Sequence, residues 1–274
     1  MKSQLEDLTY VEFRERLKDD PVVIIPLGSQ EEQGPSAPMG DFMLAKELAR
    51  RVAERTGAIA TPTVPFGYAD FLRPIPGGVQ LSAGTFKRLL RDLLDNFLAH
   101  GLTKLLIFNG HTGNSPLIDQ VVRTVKRETG VVVLWINIWR SLPDSVWREA
   151  HGDNASRARG HGADPVSSAY MYLFPELYRR DAAEAAAAGG ELIGLKTASL
   201  QTVVFEGLEV NAPVDVTDHT RNGIVSGDAT LASAEAGRLF SEYIVERTAK
   251  LVEYLKTIKQ PREAKAEEDL PPRR

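Results

Sequence analysis

The chain has 274 residues, 43% of them apolar, with 37 acidic against 33 basic side chains and a formal charge of −4. That is the make-up of a globular protein without the basic excess that nucleic acid or an anionic membrane surface calls for. There is no cysteine, which excludes disulfides, thiolate metal sites and a thiol nucleophile, so any metal must be held by nitrogen and oxygen. The N-terminal Met1-Lys2-Ser3-Gln4-Leu5-Glu6-Asp7 lacks a signal peptide's apolar stretch, and no apolar run of about 18 residues follows. A cytoplasmic protein without membrane contact is expected.

In chain order, Thr9-x-x-Glu12 has the form of a capping box opening a short helix to Lys18. The apolar run 22–27 suits a strand buried on both faces. Residues 41–56 carry helical periodicity, with Leu44, Leu48 and Val52 on one side and Lys46, Arg50 and Arg51 on the other. Ala58-Ile59-Ala60 starts a second strand, stopped by Pro62 and Pro65. Thr85 is placed to cap a helix running to His100, with Gly101 past its end. A strand at 104–108 follows, then Ser115-Pro116 as cap and first-turn proline of a helix over 117–129, then a buried strand from Val131 to Ile136. Right-handed βαβ units built this way cover both faces of a mostly parallel sheet, a three-layer α/β/α architecture. The second half is less regular. Residues 140–163 read as a long polar loop, with a helix starting at Asp164-Pro165, a helix-prone Ala182–Ala188, a strand at 202–205 and a long helix over 229–257. Residues 1–258 are expected to form one domain, and the charged, proline-containing 259–274 a disordered tail.

Two polar runs follow strands. Gly28-Ser29-Gln30-Glu31-Glu32-Gln33-Gly34-Pro35 follows the first, and Asn109-Gly110-His111-Thr112-Gly113-Asn114 the one at 104–108. In an open parallel sheet the strand C-termini share one edge, where ligands bind. Glu31, Asp41 and His111 can therefore converge there and offer two carboxylates and an imidazole, enough for zinc or manganese with an open position for water. Each has a plainer reading: Glu31 as a solvated loop carboxylate, Asp41 as a helix cap, His111 as a structural histidine. In His161-Gly162-Ala163-Asp164 the histidine is a candidate general acid or base, and Asp164 is either a further metal ligand or a helix cap. Tyr68, Asp70 and the turn at 74–78 also follow a strand and either shape a substrate pocket or form a rigid turn. Trp135, Trp139 and Trp147 lie near the polar loop, as core or as a pocket wall.

Together these segments resemble the creatininase (creatinine amidohydrolase) family, which reads G-S-x-E-Q-H-G-P-H-x-P-x-G-x-D, then N-G-H-G-G-N, then H-A-G-E-x-E-T-S. The chain carries GSQEEQGPSAPMGD at 28–41, NGHTGN at 109–114 and HGADPVSS at 161–168, with a further match at Gly223–Asp228. The resemblance implies an α/β/α hydrolase with Glu31, Asp41 and His111 on metal-binding positions, zinc or manganese as cofactor, and a small cyclic or amide-like substrate. It also implies a homo-oligomer, a hexamer in several members. Asp41 arrives one residue early. Gln33 and Ser36 stand where the family has histidines, and Asp164 and Val166 where it has glutamates. One metal site is therefore expected intact and the second doubtful, with Gln33 turned to substrate binding. A cyclic amide is the expected substrate on family frequency. The alternatives are carbon–carbon ring opening of a diketo-inositol and a non-catalytic ligand-binding member.

Overall fold

The computed structural model describes residues 2–261. Helix α1 (Tyr10–Leu17) opens on the expected capping box: the Thr9 hydroxyl accepts from the Glu12 amide and the Glu12 carboxylate from the Thr9 amide. Then come β1 (Val23–Leu27), α2 (Phe42–Thr56), β2 (Ile59–Ala60), α3 (Ala83–Ala99), β3 (Leu105–Asn109), α4 (Ser115–Thr129) and β4 (Leu134–Asn137). The strands form one parallel sheet in the order β2-β1-β3-β4. Alternation along β1 and β3 divides the core. Val23, Ile25, Leu27, Leu105 and Ile107 pack on α3 and α4, while Ile24, Leu106 and Phe108 pack on α2 and the C-terminal helix. The three-layer α/β/α expectation is met.

Residues 140–163 are not an open loop. They contain α5 (Asp144–His151) and α6 (Ala155–Ala158), because Val146 and Trp147 give α5 an apolar side that buries against Phe240. Next is α7 (Val166–Leu173). The helix-prone Ala182–Ala188 is not an α-helix; Ala185 and Ala188 make strand-like bridges to Asp228 and Thr220, a case of tertiary pairing overriding propensity. A second sheet follows, antiparallel and unforeseen apart from its third strand: β5 (Glu191–Leu192), β6 (Leu195–Ser199), β7 (Thr202–Phe205) and β8 (Leu208–Asn211). Two of its turns, Ile193-Gly194 and Glu206-Gly207, hold both residues at positive φ, the geometry of tight hairpins. Short α8 (Val216–His219) leads on to α9 (Ala234–Thr257).

Some boundaries moved for local reasons. Ser82, not Thr85, caps α3, its hydroxyl accepting from the Thr85 amide. Ser115 is the first residue of α4 rather than its cap. The fourth strand starts at Leu134, since the Gln260 side chain takes both backbone groups of Val132. Residues 229–231 form a separate single turn, and Ser233 caps α9. Beyond Pro261, the expected tail lies outside the described residues. No helix among the described residues is long and apolar enough to cross a membrane.

Candidate metal centre

Leu27 at the end of β1 pairs with Asn109 at the end of β3, so the two polar runs leave the sheet side by side. Their turns are bolted together by the asparagines of the second run. Asn109 donates to the His111 carbonyl (2.6 Å) and accepts from the Asn114 amide side chain (3.2 Å). Asn114 in turn donates to the Gly28 carbonyl (3.2 Å) and accepts from the Tyr68 amide (2.9 Å). A Cβ on Gly28 would overlap the backbone of Phe42, so only glycine lets the first turn lie against the start of α2, where Asp41 stands. The Ser29 amide donates to Asp41 Oδ1 at 2.7 Å. Asp41 therefore stands at the N-cap of α2 without a side-chain cap hydrogen bond; its carboxylate turns toward the first polar run.

Glu31, Asp41 and His111 are all buried, and one ligand atom from each falls within 4.8 Å of the others. His111 Nδ1 lies 3.0 Å from Glu31 Oε1 and 3.3 Å from Asp41 Oδ2, while Nε2 donates to the Tyr68 carbonyl at 2.8 Å. That second bond fixes the tautomer and aims the Nδ1 lone pair at the carboxylates, the support a metal-ligating histidine ordinarily has. Ligands about 2.1 Å from a tetrahedral zinc stand about 3.4 Å apart, close to these separations. Glu31 Oε2 and Gln33 Oε1 are buried without a hydrogen-bond partner among the described residues, a cost that a bound cation and substrate would relieve. The donor set fits a divalent metal.

Without a metal, a proton fills the same role. Burial would lower the His111 pKa, but the charges and hydrogen bonds of Glu31 and Asp41 hold it well above the ordinary value. Burial lifts Asp41 to about 6, with the His111 hydrogen bond opposing and the Glu31 charge adding. Burial lifts Glu31 too, yet His111 overcomes it and holds the group below the usual carboxylate value.

His161 faces this cluster, with Nδ1 4.0 Å from Glu31 Oε1 and Nε2 2.8 Å from Glu32 Oε1. Burial would lower its pKa, but the hydrogen bond and charge of Glu32 carry it above the ordinary value. Gln33 donates from Nε2 to Glu31 Oε1 at 3.0 Å. Asp164 lies elsewhere: one oxygen accepts from the Ser168 amide (2.8 Å), and the other meets Ser168 Oγ (2.6 Å) and His151 Nε2 (2.7 Å). It is not in the three-residue group, and it braces α7 against α5. Tyr68 reaches the site through its backbone carbonyl, whereas Asp70 is exposed and paired with Arg73. Trp139 donates to the Gly110 carbonyl at 2.6 Å, holding the second turn from below. Sequence reasoning passed over Glu32, which is buried beside the site; a second carboxylate directly after Glu31 was the available signal.

The sequence model of the creatininase family, creatinine amidohydrolase, matches residues 6–252. The chain belongs to the creatininase family. A 3-dehydro-scyllo-inosose hydrolase from Thermotoga maritima is 27% identical over 256 residues, covering 90% of this chain and 81% of that protein. A creatinine amidohydrolase from Pseudomonas putida is 30% identical over 129 residues, 44% of this chain and 50% of that protein. Among solved structures, a manganese creatininase superposes with a TM-score of 0.78 at 23% identity, covering 94% of this chain and all of that one. This creatininase-family hydrolase thus carries a buried candidate metal site at the sheet edge.

Proposed function

We propose that this chain opens a small polar ring by hydrolysis at one divalent metal held by Glu31, Asp41 and His111, and that the ring is a cyclic polyol diketone of the 3-dehydro-scyllo-inosose kind. The observation carrying this reading is the buried three-residue cluster with His161 across from it, in a chain with Gln33 and Ser36 in place of the family's two further histidines. A relative that aligns along 90% of this chain is named for that substrate, whereas the creatinine amidohydrolase aligns over less than half of it. Cyclic amide opening is the second reading, favoured by the family's name and by relatives named as a creatinine amidohydrolase and as peptidases.

When bound, the metal supplies Lewis acidity toward a ketone oxygen and toward water. His161 moves the proton. Its Nδ1 accepts one from the attacking water as the water oxygen bonds to a ketone carbon. The neighbouring carbon–carbon bond then breaks, its electron pair passing into the enolate of the second ketone. His161 returns the proton to that carbon, and a carboxylic acid end is left where the ring opened. Gln33 Oε1, buried and unpartnered among the described residues, is placed to accept from a ring hydroxyl. The homo-oligomer of the resemblance is proposed here as well, with sedimentation as its check. The function test offers zinc- or manganese-loaded protein 3-dehydro-scyllo-inosose and, separately, creatinine. Acid formation from the diketone supports the reading; turnover of creatinine without turnover of the diketone overturns it in favour of the amide.

A further inference from the structure

We infer that Glu32 is a positioning residue for His161: its carboxylate takes the Nε2–H of that ring and leaves Nδ1 as the nitrogen that faces the metal cluster. The inference rests on the proton-moving part proposed above for His161. Three features of the structure carry it.

Glu32 is 6% exposed and the His161 side chain 24%, so the 2.8 Å hydrogen bond between them is screened from water at its carboxylate end, where a bond holds a ring better than at the open surface. Both oxygens are occupied, Oε1 by His161 and Oε2 by the Gly34 amide at 2.7 Å. Glu31, one residue earlier, differs in keeping Oε2 without a hydrogen-bond partner among the described residues. The carboxylate is also clamped in place. Gly34 has φ 72°, which turns its N–H back on Glu32, and a Cβ on Gly223 would come within 2.9 Å of Glu32 Oε2. The same Gly223–Gly227 segment holds the other end of the histidine, since the Val225 amide donates to the His161 carbonyl at 3.1 Å.

A ring fixed at Nε2 by a carboxylate offers Nδ1 as its proton acceptor, and that atom stands 4.0 Å from Glu31. This is the logic by which a buried carboxylate sets the tautomer of a catalytic imidazole in other hydrolases. The quoted family pattern has glutamine at this place. An amide carries one acceptor oxygen, and here two donors, His161 Nε2–H and the Gly34 N–H, point at the side chain. The carboxylate serves both; glutamine would set its own NH2 against one of them.

The test uses zinc-loaded protein labelled with 15N-histidine, as wild type, Glu32→Ala and Glu32→Gln, with His161→Asn to assign the ring and circular dichroism to confirm folding. In wild type with the ring neutral, the His161 nitrogen shifts should show the proton on Nε2. Glu32→Ala should give a mixture of tautomers at unchanged zinc per protomer, and with 3-dehydro-scyllo-inosose a fall of about 10–100-fold in kcat with little change in KM. Glu32→Gln, which keeps one acceptor, should fall between. A wild-type proton on Nδ1, or tautomers unaltered by both substitutions, would overturn the inference. If Glu32→Ala does not fold, Glu32→Gln decides by the same shifts. The spectra need no substrate. Inactive wild type with a Glu32-dependent tautomer would refute the proposed reaction alone, and active wild type with an indifferent tautomer would refute the positioning alone.

Discussion

Binding of a metal at the cluster should expel protons in a number fixed by the pKa pattern. Near pH 7 the free protein holds a proton on His111, whose pKa stands well above its ordinary value. Asp41, at about 6, is about nine-tenths ionised there, and Glu31 is ionised. A metal requires all three ligands deprotonated, so binding at pH 7 releases about one proton, and at pH 5, with Asp41 mostly protonated, about two. The dissociation constant should therefore rise about twentyfold as pH falls from 7 to 6, or about 1.8 kcal/mol, and approach about a hundredfold per unit below 6. Titration calorimetry of zinc in two buffers of different ionisation enthalpy counts these protons directly. Repeating it on His161→Asn removes any contribution from that ring. Release near zero at pH 7, or the same release at pH 5 and pH 7, would show that His111 and Asp41 are not the groups displaced.

Three shorter predictions follow from the same contacts. Gln33→Leu deletes the donor to Glu31 Oε1 and should weaken zinc binding by about 10–100-fold, read by chelator competition. Asp164→Ala leaves His151 and Ser168 without their shared acceptor and should lower stability by roughly 1–3 kcal/mol for each buried group stranded, with zinc per folded protomer unchanged; loss of zinc from folded protein would instead make Asp164 a ligand. For metal-free protein, the raised His111 pKa means the folded state binds that proton more tightly than the unfolded state. Its contribution is full below pH 6.5 and disappears as pH rises through the folded value. Urea midpoints of the metal-free protein should then fall above pH 6.5, and His111→Gln should reduce that slope, the raised His161 pKa supplying what remains.

The sequence reveals the half of the fold whose elements are periodic and local. β1, β3 and α2 lie within a residue or so of expectation, because apolar runs and amphipathic stripes are properties of the segment itself. Apart from β7, the antiparallel sheet was opaque. Its strands are short and largely exposed, and two of its turns use Ile-Gly and Glu-Gly instead of the Asn-Gly that marks such hairpins. The alanine-rich 182–188 misled because composition cannot register the bridges that Ala185 and Ala188 make to Asp228 and Thr220. At the site, the candidate ligands stood out because Glu31 and His111 follow strands whose ends lie on a common edge and Asp41 opens the helix after the first polar run. What could not be read was direction. His161 and Asp164 lie three residues apart, yet the histidine faces the cluster and the aspartate turns back to Ser168 of its own helix; no spacing rule separates the two outcomes.

Charge balance predicts how many metals the centre holds. Glu31 and Asp41 bring two negative charges, and a neutral His111 adds none, so the set balances one divalent cation. A second cation within a few ångströms would need further carboxylate. Asp164 is spent on His151 and Ser168, Glu32 on His161 and Gly34, and Gln33 and Ser36 carry no charge. An uncompensated buried charge costs several kcal/mol, more than a neutral amide oxygen returns as a ligand. Plasma mass spectrometry on protein purified without added metal should find about one equivalent of zinc or manganese per protomer, and extra zinc should add none at the centre. Two equivalents, the second abolished by Asp164→Ala or Gln33→Leu, would mean that these side chains leave their present partners when metal arrives, and would refute the single-metal assignment.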